Sequence, residues 1–508
     1  MRTFSPKARR LQPVAGFHPS EDDMATATKS LSLRGLTSFG DVAAEDDAVL
    51  EYFLTTDAVT RIKNGEVFLV LGRKGAGKTA LVRHFAEGNG KGLSRSLNLA
   101  GYPWAVHAQR IDRGSSDVEA YVSSWRYLIA VQMAALALSR TKGATDDGAK
   151  AIRQFLTDNY GGESLQLDAV LKPSKLRLSS MSFEPTVLGC KLVGIALDRN
   201  AGDVKFGTEL NALSDMLLSA TVKLAHKMGA PSLMLHFDEL DQGISTLTEE
   251  RARMLSGLVL AVRAVRQSFR DGGVPLKPVI YLRSDLWDKL AFSDKNKITE
   301  KLSLRLEWDS DSLLELVTTR LRAKLGPDAR WETITQNEQL KSSNNKWNFI
   351  LSRTFLRPRD VIKFMNSALT QAKRRADNPL VLTNPDVVNA REQYSNYLKS
   401  ELDDEIMAHW PQWEEALQAC SGISTLTFQR EEFEKEYEQR RSSANQVTAD
   451  EALELMYRFS VIGYERRSGY GGSSWAFQYT NPEAGWDNRA TRFKVHLGLK
   501  EFAKLRDE

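Results

Sequence analysis

Apolar residues fall into two kinds of pattern along this chain. Short unbroken runs, "VFLVLG" from Val67, "SLMLHFDEL" from Ser232 and "KPVIYLRSDLW" from Lys277, have the length and content of strands buried on both faces. "WAVHAQRI" from Trp104 is a further strand expectation, and Leu176 to Asp198 reads as β-like. Helical spacing covers Val49, Leu50, Phe53 and Leu54 ahead of the first strand, then Thr79 to Glu87, Val118 to Arg140, Leu210 to Met228 and Glu249 to Arg270. Lys63-Asn64-Gly65 reads as a turn. Strand, helix and strand between Ser232 and Trp287 predict a parallel sheet with helices on its faces. From Asp311 onward the pattern is mainly helical.

Composition narrows the class. With 508 residues the chain exceeds the roughly 250 to 300 residues at which a single core stops growing, so several domains are expected. At 42% hydrophobic and 26% charged it is globular, and a net charge of +4 is too small an excess to argue for nucleic acid by itself. Cys190 and Cys420 form no metal-binding or disulfide spacing, so a reducing cytoplasm is the expected location. The first residues are basic without an apolar core, so a signal peptide is not expected. The longest apolar run, Tyr127 to Ser139, falls short of the ~20 residues that span a bilayer, so no membrane partner is expected.

The decisive stretch is "VFLVLGRKGAGKTALVRHF", Val67 to Phe85, where the first strand passes through a glycine turn into a helix. It matches GxxxxGK[ST] in the context that motif requires. Glycines let successive backbone N–H groups wrap a phosphate, and the helix N-terminus adds its positive dipole end. The nucleotide cradle is therefore Gly72, Arg73, Lys74, Gly75, Ala76, Gly77, Lys78, Thr79 and Ala80, with Lys78 reaching the β- and γ-phosphates and Thr79 holding Mg²⁺. The second strand ends in Asp238-Glu239, which places Asp238 on the metal side and Glu239 on the attacking water. Two adjacent acids point to hydrolysis of ATP. In "DKNKIT" Thr299 stands where a guanine-reading Asp is expected, which disfavours GTP.

The order "GRKGAGKT", "LHFDELD", "VIYLRSD", "TFLRPRDVIKFMN" resembles the ASCE division of P-loop ATPases, close to AAA+ and STAND-type proteins such as the origin-licensing ATPases. More narrowly, it is similar to little-described bacterial P-loop ATPases, some associated with antiphage defence. The resemblance covers about Phe39 to Leu398. It implies a polar sensor at Ser284, with Arg283 beside it as a second candidate, and a second sensor at Arg359 in "RPRD", where an arginine reaches from a helical lid onto the nucleotide. It offers Arg305 and Arg283 as arginine-finger candidates without choosing between them. The roughly 160 residues between the phosphate loop and the acidic pair exceed a minimal AAA+ core, so an insertion is expected.

The expected architecture is α/β. A flexible basic arm takes residues 1–38, and a parallel-sheet P-loop NTPase core takes 39–310 with an inserted subdomain around 140–205. A helical lid over 311–400 and a C-terminal module over 401–508 follow. That module resembles a winged helix: "ADEALELMYRFSVIGYE", a "RRSGYGG" turn and a returning "WAFQYT" strand carrying Trp475, Phe477 and Tyr479 at period two. Arg466, Arg467, Arg489, Arg492 and Lys494 are placed to face DNA phosphates, but such folds equally dock proteins. His236 inside the buried run reads as a hydrogen-bonded core residue. Arg251, Arg253, Arg263, Arg266 and Arg270 share one helix and read as a solvated face or a surface for a partner's acids. The function expected is an ATP-binding and hydrolysing switch that needs Mg²⁺, acting as a homo-oligomer or with an effector protein in antiphage defence. The alternative is a DNA-associated ATPase that loads on duplex.

Overall fold

The computed structural model describes residues 33–88, 93–100, 102, 117–140, 146–162, 165, 167, 170, 203–242, 247–270, 274–340, 345–467 and 472–507. Strands β1 (Leu69–Gly72), β2 (Leu93–Asn98), β3 (Leu233–Asp238), β4 (Leu276–Arg283) and β5 (Ser303–Arg305) form one sheet in the order β2-β3-β4-β1-β5. Every neighbouring pair is parallel. β4 thus lies between the strand that leads into the glycine loop and the strand that ends in the acidic pair.

The three apolar runs account for β1, β3 and β4, which are buried almost throughout. In β2, "LSRSLN", only Leu93 and Leu97 are apolar and buried, a pattern too thin to announce a strand. The strand expected from Trp104, the β-like stretch Leu176 to Asp198, Cys190 and most of the insertion at 140–205 lie outside the described residues.

Helix α1 (Asp57–Asn64) leads into β1, and Gly65 ends it with φ +75°, in the left-handed region. The helix expected through Val49, Leu50, Phe53 and Leu54 is instead one 3₁₀ turn, Val49–Glu51, followed by an irregular segment. The reason is that these side chains serve different surfaces: Leu50 is exposed, whereas Phe53 stacks on His84 at 4.0 Å. Helix α2 (Lys78–Glu87) follows the phosphate loop. Helices α3 (Asp117–Ser139), α4 (Asp147–Tyr160) and α5 (Asp203–Lys227) come between β2 and β3 in sequence. α3 is buried over nearly its whole length, packed by α5 and by α6 (Glu249–Ser268), as befits a helix apolar all round. Among the described residues no helix is long and apolar enough to cross a membrane. Short helices α7 (Ser284–Lys289) and α8 (Lys295–Leu302) join β4 to β5.

Beyond the sheet, α9 (Ser310–Leu325) starts at a capping box in which Asp309 accepts from Ser312 N at 2.8 Å. Then come α10 (Trp331–Ile334), α11 (Lys346–Leu351), α12 (Pro358–Arg375) with proline at its first position, and α13 (Asn384–Ile406). The terminal module combines α14 (Trp413–Ile423), α15 (Arg430–Arg440) and α16 (Ala449–Arg458) with β6 (Thr427–Gln429), β7 (Ile462–Arg467), β8 (Ser473–Ala476) and β9 (Arg492–Val495). These four strands make an antiparallel sheet in the order β6-β9-β7-β8. β8 ends at Ala476, so Phe477 and Tyr479 do not continue a strand; both pack edge-on against His496.

One hydrophobic cluster runs from α9 through to Leu505, so helices α9 to α13 and the terminal module share a core. Leu33, Leu36 and Phe39 belong to it as well, and Leu33 N donates to Leu380 O at 2.8 Å. These apolar residues carry no helical or strand period, which is why a sequence pattern passes over them.

Candidate functional site

Ligands of open α/β sheets settle beyond the carboxyl ends of the strands. Here the register sets Gly72 level with Arg283, and Asn98 level with Asp238. Two strand spacings, about 10 Å, separate β1 from β3. That gap admits a phosphate, a cation and a water, which adjacent strands would crowd out.

The loop turns on Gly75 at φ +79° and Gly77 at φ +99°, a backbone region that favours glycine. A Cβ on Gly75 would stand 2.8 Å from Cβ of Arg359, so glycine also lets α12 approach. Trp308 fastens one flank by donating its indole N–H to Ala76 O at 2.9 Å. Lys78 Nζ donates to Gly72 O and Arg73 O, each at 3.0 Å, which uses two of its three donors. Burial lowers its pKa, while Asp241 and Asp238 favour its charge.

Asp238 is buried, and burial pushes its carboxyl up to about 6 against the opposing pull of the Glu239 backbone N–H, the Thr79 hydroxyl and Lys78. Glu239 has φ +57°, a conformation that costs a residue other than glycine roughly 1–3 kcal/mol. This left-handed step follows directly on Asp238. Burial raises the pKa of Glu239, and Glu45 and Asp241 add to the rise, while the Asn98 side chain beside it opposes it. Asn98 gives no signal in the sequence, because only the register of β2 with β3 reveals what it faces.

Lys74 through Ala80, Asp238, Glu239 and Arg359 line a single cleft. Its far wall is apolar, with Val42, Val49, Tyr52, Phe53, Leu316 and Ile362. Two arginines fix that wall. Arg320 pairs with Asp47 at 2.8 Å and lies over the Tyr52 ring at 4.5 Å, and Arg83 of α2 donates to Asp47 O at 2.8 Å. The residues thus fit a magnesium nucleotide: a glycine cradle that a Cβ would fill, a buried ammonium, a hydroxyl beside a carboxylate, and an apolar wall for a base.

The remaining expected residues lie elsewhere. Gly72, Arg73 and Ser284 line a second cleft of about 620 Å³ on the other flank of the loop, shared with the terminal module. Arg283 is buried and pairs with Asp285 at 2.7 Å and Asp241 at 3.6 Å; burial works against its charge, but Asp285, Glu405 and Asp241 outweigh it. A finger for a neighbouring subunit has to be exposed, so Arg283 does not qualify. Arg305 is the more exposed candidate, 3.7 Å from Asp288. "DKNKIT" spans the start of α8, away from the nucleotide cleft, with Thr299 Oγ1 donating to Lys295 O. His236 is buried between Tyr281 Oη at 2.9 Å and Ser94 Oγ at 3.0 Å, and burial lowers it to about 3, so it stays neutral.

The loop's two other cations are held by α13. Arg73 meets Glu405 at 3.4 Å and Phe459 O at 3.3 Å, lying over Phe355, and Lys74 meets Asp404 at 2.7 Å and Glu401 at 3.5 Å. Arg359 reaches over the cleft, yet its guanidinium binds Glu401 at 3.0 Å and Val42 O at 3.2 Å. Arg357, at the start of α12, joins the pieces: it binds Asp360 at 2.9 Å, Glu405 at 2.6 Å and Lys74 O at 2.9 Å. Burial opposes the charge of Glu405, but Arg357, Arg73 and Arg283 hold its carboxyl down to about 2. The glycine loop and the start of α12 therefore meet at one buried carboxylate, and Arg73 links that joint to Phe459 O of the terminal module.

In the terminal module Arg492 pairs with Glu465 at 3.6 Å, and Arg492 and Lys494 lie over the Trp475 ring. Arg466 is exposed, and the "SGYG" of the hairpin turn lies outside the described residues.

Comparison with known proteins gives two findings. The family model described as the FunZ-associated C-terminal helical domain matches residues 311–403. Among solved structures, the chain is similar to the Orc1 protein of Aeropyrum pernix in complex with DNA, at 11% identity and TM-score 0.35 over 88% of this chain and 89% of that one. It is also similar to Cdc6p from Pyrobaculum aerophilum, at 12% identity and TM-score 0.27 over the same shares. No curated protein matches the chain.

Proposed function

We propose that the chain is a magnesium-dependent ATPase whose nucleotide state is passed to its terminal module. The observation that carries this reading is the convergence, in one cleft, of the glycine loop, Lys78, Thr79 and the two acids on β3. Backbone N–H groups and Lys78 would hold the phosphates; Thr79 and Asp238 would hold Mg²⁺, which when bound offsets phosphate charge. Glu239, turned out of the strand at positive φ and steadied by Asn98, is placed to accept a proton from water. The apolar wall at Tyr52 and Phe53 suits a purine.

The cleft measures about 230 Å³, and α12 forms part of its wall through Pro358, Arg359 and Ile362, so nucleotide binding would act on that helix. Arg359 rides on that helix. Its movement would pull on the Glu401, Glu405 and Arg73 contacts and, through Phe459 and Ser460, on the terminal module. This supplies the differential contact that a two-state switch requires. The setting implied by the sequence resemblance is an oligomer or an effector complex in bacterial antiphage defence.

Hydrogen exchange of the intact chain tests the switch. With Mg²⁺ present, ATP should change protection at Glu401–Glu405 and Phe459–Ser460 relative to ADP. Identical exchange in the two states would remove the transmission step while leaving the ATPase reading in place. The second reading, duplex loading, draws on Arg466 and on Arg492 and Lys494 over Trp475. It requires duplex binding that weakens with salt and turnover that duplex stimulates.

A further inference from the structure

At the amino ends of β1 and β4, the opposite pole of the sheet from the phosphate loop, lies another concave site. It has a volume of about 460 Å³ and is lined by Arg263, Arg266, Arg270 and Lys277. The one acidic residue in its lining, Glu66, is occupied by Asn64 at 3.1 Å and Arg61 at 3.6 Å. Arg263 pairs with Asp294 at 2.8 Å. Among the described residues no carboxylate pairs with Arg266, Arg270 or Lys277.

A solvated arginine face, the simplest expectation for this helix, would let each cation extend into water. Arg266 instead folds inward: its guanidinium lies 5.6 Å from the Phe68 ring centre and one nitrogen donates to Gly65 O. Its Nη1 is buried with no hydrogen-bond partner, and so is Nε of Arg263. A buried donor left unpaired is costly, more so when charged. Burial, with Arg270 adding, lowers Arg266 to about 10, and burial together with Arg266 and Lys63 lowers Lys277. The fold therefore gathers cations against their mutual repulsion and leaves donors unused.

We propose that this cleft binds a phosphate-bearing anion through Arg266, Arg270 and Lys277. Two guanidinium forks and one ammonium match phosphate oxygens better than a single carboxylate, and the enclosed volume falls within the range for small ligands. The inference is independent of the phosphate loop and goes beyond the ATPase reading.

Pyrophosphate is the probe, titrated calorimetrically at low ionic strength into the full chain carrying Lys78→Ala, which silences the phosphate loop. Binding is expected, and adding Arg270→Gln and Lys277→Gln should weaken it by about tenfold or more, the effect of losing hydrogen bonds to charged groups. Arg270 is exposed, so its single substitution gives a folded control, verified by an unchanged melting temperature. Failure of the Lys78→Ala chain to bind pyrophosphate, or binding that these substitutions leave unaltered, would overturn the proposal. A short duplex that displaces pyrophosphate from the Lys78→Ala chain, and whose own binding the Arg270→Gln and Lys277→Gln substitutions weaken, supports the site and makes the phosphate that of a strand. Variant-sensitive pyrophosphate binding that duplex leaves in place supports it as a small-molecule site.

Discussion

Asp238 shows how the candidate site works against the stability of the empty protein. Its carboxyl is raised to about 6 in the fold, above its ordinary value of 3.8, so the native state binds this proton more tightly than the unfolded chain does. The stabilising effect of that proton is complete below the unfolded pKa and is lost as pH rises through the folded value, leaving a deficit of about 3 kcal/mol at neutrality. Asp238→Asn should accordingly raise the melting temperature of the nucleotide-free protein and flatten its stability between pH 4 and 6, while metal-dependent turnover disappears. A lower melting temperature would contradict this. For the same reason kcat/KM for magnesium ATP should fall by about tenfold per pH unit below pH 6, because metal binding needs the deprotonated acid. A profile flat to pH 5 would assign that role to another group. These residues were legible in the sequence because glycine loop and paired acids are local patterns; Asn98, 141 positions before Glu239, was not.

At the scale of elements, legibility follows burial. Strands β1, β3 and β4 are buried on both faces and so appear as unbroken apolar runs, whereas β2 carries only Leu93 and Leu97 inward. The segment Val49 to Leu54 reads as a helix face, yet Val49, Phe53 and Leu54 line the cleft while Leu50 is exposed. Two substitutions probe how elements meet. Gly75→Ala places a methyl group 2.8 Å from Cβ of Arg359 at φ +79°, and should weaken ATP binding while the β-sheet core stays folded. Equilibrium titration with a fluorescent ATP analogue measures it. Glu405→Gln leaves Arg73 and Arg357 buried without their shared carboxylate, a change that typically costs about 3–5 kcal/mol and is read by denaturant unfolding. Glu405 contributes most above the ordinary carboxylate pKa, and its contribution fades as pH falls toward 2.

Across the whole molecule, one sheet presents two anion-suited poles, the phosphate loop at its carboxyl edge and the basic cleft at its amino edge. The first was announced by a motif. The second was visible only as a helix rich in arginine, because the partners that turn it into a cleft, Phe68 just ahead of β1 and Lys277 in β4, lie far from it in sequence. The joint at Glu405 was likewise hidden, since Arg73 lies 332 positions before it. The central claim remains that the loop and the two acids hydrolyse ATP. Steady-state ATP turnover measured beside ATP binding, on the natural chain and on Glu239→Gln and Lys78→Ala, tests it most directly. Turnover should fall at least about a hundredfold in Glu239→Gln with binding retained, as expected for loss of a general base, and binding itself should fail in Lys78→Ala. Turnover unchanged in Glu239→Gln, or a natural chain that does not bind ATP, would contradict it.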